Sequence, residues 1–147
     1  MALVIEIADA LVALLNGQTF SPAFVAVRRV RPSLKLDEMT GGPYVTVLPK
    51  GFEAGLASRA LSQYDVQIDI GVQQKLPADE DEEHTVAYMC GLVEDIADFL
   101  KDKSLTGTGW QAFWLTPATN DPIYSVDHLA EKRLFTSVLT MTYRVLK

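Results

Sequence analysis

The chain has 147 residues, 48% hydrophobic and 9% aromatic, which supports one domain with its own core and excludes a disordered chain. Lys and Arg total 13 against 19 Asp and Glu, a net charge of −6, the reverse of the balance of a free-standing nucleic-acid binder. The single cysteine, Cys90, excludes an internal disulfide and a Cys-rich zinc site, and suits a reducing compartment.

Val4, Ile7, Ala8, Leu11, Leu14 and Leu15 recur at helical spacing. Glu6 and Asp9 sit near the start of this predicted helix, where its dipole favours negative charge. Asn16-Gly17 is the expected stop, with glycine in the left-handed conformation. The same segment carries no basic leader, so no signal peptide is expected. No run reaches the ~18 apolar residues of a membrane span. The expectation is a protein made in a cytoplasm, with no membrane partner.

Ala23 to Val30 predicts a strand bracketed by Pro22 and Pro32, and Ser33 to Pro43 a loop. Tyr44 to Leu48 predicts a second strand, ended by Pro49-Lys50-Gly51. Phe52 to Gln63 fits either a helix or the lead-in to a long strand. From Tyr64 the pattern is clear. Tyr64, Val66, Ile68, Ile70 and Val72 alternate with Asp65, Gln67, Asp69, Gly71 and Gln73, the signature of a half-buried strand.

An acidic run, Asp79 to Glu83, leads into a predicted amphipathic helix through Val86, Met89, Cys90, Val93, Ile96, Ala97 and Leu100. Thr106 to Gly109 reads as a loop, Trp110 to Thr116 as a strand, and Ile123 to Val126 as a short extended piece. Asp127 to Lys132 fits a helical turn. The last segment alternates again, with Phe135, Ser137, Leu139, Met141, Tyr143 and Val145 on one face. The expected fold is a single α+β domain over 1–147: a mostly antiparallel β-sheet with two helices packed on one face.

The residues that carry chemistry are sparse. His84 and His128 stand in no metal-binding pattern, and each fits a solvated polar position. Cys90 lies on an apolar helix stripe, as an inert buried thiol does. The acidic run lacks the alternating ligands and central glycine of a calcium loop. Thr106-Gly107-Thr108-Gly109 has no following helix and no phosphate-binding lysine. No catalytic residue, metal site or cofactor is expected, and the chain does not read as an enzyme.

Two features point to surfaces instead. Arg28, Arg29 and Arg31 are dense for an acidic chain. They fit an edge strand protected by charge, or an acidic partner. Asp79, Glu80 and Asp81 offer the opposite charge. Trp110, Phe113, Trp114 and Tyr124 crowd a turn-rich region, where aromatics are either satellite core or the anchors of an interface.

Several segments, taken in order, resemble the tail terminator family of tailed bacteriophages. They are IADALVALLN, then AFVAVRRVRP, VTVLPKGFE, SRALSQYDVQIDIGVQQKL, VAYMCGLVEDIADFL and the closing RLFTSVLTMTYRVL. Together they span nearly the whole chain, and proteins of the phage neck share this size and order. The resemblance implies a structural virion protein, a homo-oligomer forming a hexameric ring. Such a ring caps the tail tube and joins it to connector or neck proteins. A cyclic ring needs two different complementary patches, for which Arg28, Arg29, Arg31 and the acidic run are candidates. Arginines lining a channel for DNA are another reading, as is a head-completion adaptor. From a different class, a small ligand-binding domain would have its pocket near Trp110 to Trp114.

Overall fold

The computed structural model describes residues 2–30, 42–76 and 81–147. Among them the chain forms helix α1 (Leu3–Asn16), strands β1 (Ala26–Arg28), β2 (Tyr44–Leu56) and β3 (Ser62–Lys75), helix α2 (Glu82–Leu100), strands β4 (Leu105–Gly107) and β5 (Trp110–Thr119), helix α3 (Val126–Lys132) and strand β6 (Leu134–Leu146). The strands make one sheet in the order β1-β2-β3-β6-β5-β4. The β1–β2 pair is parallel and the other four pairs are antiparallel. The α+β expectation holds in this coarser form. The sheet is mixed, and there are three helices rather than two.

The centre of the sheet is the β3–β6 pair, in unbroken register from Gln63 opposite Leu146 to Lys75 opposite Leu134. Both strands alternate, so one face of the pair is apolar apart from the buried Ser137. Val66, Ile68, Ile70 and Val72 lie beside Val145, Tyr143, Met141, Leu139 and Phe135, all buried. Helix α1 adds Ile7, Ala8, Leu11 and Leu15 to this core, and α2 adds Met89, Leu92, Val93, Ile96 and Leu100. Helix α1 touches β1 and β2 at one edge of the sheet and β4 at the other, so the sheet curls around it.

Several boundaries differ from the sequence expectation. Strand β1 has three residues, because only Ala26 to Arg28 find partners on β2. Strand β2 does not stop at Pro49. Its register shifts between Pro49 and Gly51, and pairing then continues to Leu56 opposite Ser62. Proline lacks the N–H of a ladder bond, and a bulge on an edge strand absorbs that loss. Phe52 to Gln63 is therefore the tip of a hairpin, not a helix. Ile123 lies in a bend rather than a strand, and Val126 opens α3. Leu105 to Gly107 is a strand rather than part of a loop. Its hairpin explains both glycines. Gly109 has φ +80, and a Cβ at Gly107 would fall inside the Trp110 indole.

Helix ends also differ. Gly17 caps α1 with φ −80, outside the left-handed region, and its N–H reaches the Ala13 carbonyl at 3.0 Å. Only Glu6 lies in the first turn of α1. In α2 the buried stripe runs through Thr85, Met89, Leu92 and Val93, so Val86, Cys90 and Ala97 sit on its flank.

Ile68 is fully buried on the central pair. Ile68→Ala removes a large side chain where both neighbouring strands are paired, so collapse is limited. The expected loss is about 2–5 kcal/mol, read from the urea midpoint at unchanged slope.

Candidate interaction surface

The sheet face away from α1 and α2 is a polar ladder. Arg144 and Asp65 are register partners and form a bidentate pair, Nε to Oδ1 at 2.9 Å and Nη2 to Oδ2 at 3.0 Å. Asp65 holds the guanidinium further above its ordinary range, chiefly by this hydrogen bond. Two pairs along, Thr140 donates to Asp69 Oδ1 at 2.7 Å, and Lys50 reaches the same oxygen at 3.9 Å. Gln73 Nε2 donates to Thr136 Oγ1 at 3.5 Å. These cross-strand pairs fix the register from the solvent side as the apolar pairs fix it from the core. A depression of about 400 Å³ opens on this face, between Gly51, Phe52, Glu53, Asp65, Gln67 and Thr142.

The arginine cluster sits at the β1 edge, and α1 secures it. Arg28 Nε donates to Asp9 Oδ1 at 2.6 Å. Beside it, the Asn16 side chain acts as a short strand: its Nδ2 donates to the Ala26 carbonyl at 3.0 Å and its Oδ1 accepts the Ala26 N–H at 2.7 Å. Arg29 is exposed, and its backbone N–H extends the β1–β2 ladder to the Val47 carbonyl. Arg28 is thus engaged within the chain while Arg29 faces solvent. Arg31, Asp79 and Glu80 lie outside the described residues. Asp81 caps α2, its Oδ1 accepting the Glu83 N–H at 3.1 Å.

The aromatic group divides. Trp110 and Trp114 are half-buried and pack on the core, and Trp114 Nε1 donates to Met141 Sδ at 3.3 Å. Tyr124 lies 6.0 Å from the Phe135 ring. Phe113 points the other way and stays exposed. His84 is exposed on the first turn of α2. His128 is not simply solvated: it is half-buried, with Nδ1 2.8 Å from Thr136 Oγ1. Among the described residues no group of three His, Cys, Asp or Glu is placed to hold a metal. No helix there is long and apolar enough to cross a membrane.

Apart from Val25 and Val30 on either side of β1, the most exposed apolar side chains gather in two places. One is the β2–β3 hairpin, with Phe52 at 57%, Leu56 at 79% and Leu61 exposed. The other lies at the opposite end of the β3–β6 pair, with Ile123 and Val126, where the Ile123 carbonyl accepts from Ser137 Oγ and the Ser125 N–H reaches the Thr136 carbonyl. The hairpin projects past the start of α1. Its base is an apolar hollow of about 200 Å³, lined by Leu3, Val4, Phe52, Tyr64 and Val66, with Lys147 at the rim. Sequence reasoning missed this hairpin, because the alternation of Phe52, Ala54 and Leu56 is too short to separate from helical spacing.

Two outcomes follow for single residues. Arg28→Ala removes an ion pair that is partly exposed on both sides, so it lowers stability by at most about 1 kcal/mol, while Arg29→Ala leaves the denaturation midpoint unchanged. Burial, and secondarily Glu94, pushes the Cys90 thiol up. Less thiolate is present at neutral pH than in a free cysteine. Alkylation by iodoacetamide is therefore slow in the native chain, its pH midpoint lies above the ordinary thiol range, and Glu94→Gln lowers that midpoint.

No family model matches the chain, and no curated protein matches it. A solved structure of a protein without a functional name is similar at 18% identity with a TM-score of 0.51, covering 97% of this chain and 93% of that one. The likeness at this identity is one of fold.

Proposed function

We propose that this chain is a structural subunit of a tailed-phage particle, forming a ring that closes the tail tube and joins it to the head or neck. The reading begins with the resemblance in the sequence. The observation that carries it further is the pair of separate apolar patches at opposite ends of one sheet. A subunit in a closed ring presents two different surfaces to its two neighbours. Phe52, Leu56 and Leu61 on the hairpin offer one, and Ile123 and Val126 beside α3 the other. Clustered exposed apolar side chains mark protein contacts on soluble domains.

The charged groups take a lesser part. Arg28 already holds Asp9, so of that cluster Arg29 is the described arginine that faces solvent for a neighbour, a tube protein or passing DNA. The polar ladder of Asp65, Asp69, Thr140 and Arg144 suits a surface that stays wet rather than one buried against a neighbour, because its charges are already paired.

The test uses tubes assembled from the tail-tube protein of the same phage. The purified chain is expected to bind one end of each tube, to stop further elongation, and to appear there as a ring of six by electron microscopy. Leu56→Lys and Val126→Lys are each expected to abolish the ring. Binding to the head connector with none to tubes would assign the chain to the neck instead. Binding to neither would defeat the reading.

A further inference from the structure

Backbone geometry at the hairpin defines a docking edge. Ser62 and Lys147 exchange both of their backbone hydrogen bonds, at 2.8 and 3.0 Å, so the N–H and C=O of Ser62 point toward β6. Successive residues of a strand point their polar groups to opposite sides. Ser62, Tyr64 and Val66 therefore turn toward β6, and Gln63 and Asp65 toward β2. Their register partners on β2 follow. Gly55 and Glu53 bond to β3, while Leu56, Ala54 and Phe52 turn their N–H and C=O away from it. Strand β1 pairs only with Val45 to Val47. Among the described residues no strand pairs with the outer side of Phe52 to Leu56.

The same three residues present their side chains to the apolar face. The Phe52 ring lies 6.1 Å from that of Tyr64 and lines the hollow beside Leu3 and Val4. The chain closes the edge at β1 with Asn16 and Arg28, yet among the described residues this one is open, with Leu56 79% exposed at its end.

We propose that this edge pairs with the same edge of a second copy, antiparallel and centred on Ala54. The segment is self-complementary in that register and in no other. Phe52 faces Leu56 of the second copy, Ala54 faces Ala54, and Leu56 faces Phe52. All three positions point outward, so the pairs exchange about six backbone hydrogen bonds. Each exposed Leu56 then lies over the Phe52 ring at the other copy's hollow. On the opposite face Glu53 meets Gly55, so no like charges are opposed. A shift toward the N-terminus meets the Pro49–Gly51 irregularity, and a shift toward the C-terminus runs into the turn after Leu56. Centring on Glu53 or Gly55 aligns residues whose polar groups face β3.

Five residues a side are a fraction of the roughly 20–30 per partner of a standard interface, so the contact is weak and concentration-dependent. It does not depend on the ring reading. Where both hold, the pair hides the hairpin until a ring neighbour displaces it.

Sedimentation velocity of the full chain from roughly 10 µM to 1 mM tests the pairing. The wild type is expected to pass from monomer to dimer. Ala54→Pro removes one outward N–H and leaves the ladder to β3 intact, as edge prolines do. Leu56→Lys puts a charge on each knob. Each raises the dissociation constant tenfold or more with an unchanged circular dichroism spectrum. Ala54→Cys under copper-phenanthroline oxidation is expected to give a disulfide-linked dimer, while the wild type, with Cys90 alone, gives none. A wild type that stays monomeric throughout overturns the pairing and leaves the edge to a different chain. So does a dimer that neither substitution weakens, or a larger ring in which Ala54→Cys does not cross-link.

Discussion

The register of β3 on β6 is the constraint from which the rest of the structure follows. Thirteen residues of β6 pair without interruption, and both strands are apolar on one face and polar on the other. A slip of one residue would turn Ile68 and Met141 to solvent and Asp65 and Asp69 into the core. The polar side adds a second lock, since only this register sets Arg144 across from Asp65 and Thr140 across from Asp69. With the pair fixed, the apolar face is a surface that needs covering, and α1 and α2 cover it. Among the described residues the polar face is covered only at its Gln73–Thr136 end, where His128 of α3 reaches Thr136.

Covering that face decides what is left over. Helix α1 reaches β1, β2 and β4, so it closes the curl of the sheet as well as the core. It also reaches past the core to the β1 edge, where Asn16 occupies the Ala26 N–H and C=O and Asp9 holds Arg28. But α1 begins at Leu3, and the hairpin runs beyond it. Phe52, Ala54 and Leu56 belong by alternation to the core face, with no core above them. Their exposure is a consequence of strand length exceeding helix reach.

The parts of this fold that are legible in the sequence are those with a long period. Val66 to Val72 and Phe135 to Val145 announce themselves because alternation persists over many residues. The first helix is legible for the same reason. Strand β1 is legible in place, within Ala23 to Val30, but not in extent, since three paired residues carry no period and a parallel partner leaves no turn signal. Helix α3 is legible only as the helical turn at Asp127 to Lys132, since it has seven residues, buries none of them and so has no stripe to read. Pro49 misleads in a specific way: proline ends most ladders, but at an edge bulge it removes a donor that nothing needs. At the candidate surface the limit is different in kind. The arginine cluster is visible as composition, whereas the Asp9 that engages Arg28 is 19 positions away and placed by the helix. Asp65 and Arg144 stand 79 apart, and only the register joins them.

An exposed apolar edge is a hazard as well as a resource, and the chain bounds it at both ends. An open strand invites any other strand, and a long one seeds fibres. Here the Pro49–Gly51 irregularity interrupts the edge on one side and the turn at Ala57 to Leu61 ends it on the other. Between them only Phe52, Ala54 and Leu56 turn their polar groups outward. An antiparallel match centred on Ala54 uses all three and leaves no equivalent edge free, so the contact closes on itself instead of propagating. The opposite margin of the sheet, β4, has three residues and is too short to continue a ladder of its own. The net charge of −6 adds a general repulsion between copies. A surface built this way stays dispersed when dilute and is satisfied by one well-matched partner. On the function proposed above, a subunit held in solution before its docking site exists has to meet both of those requirements.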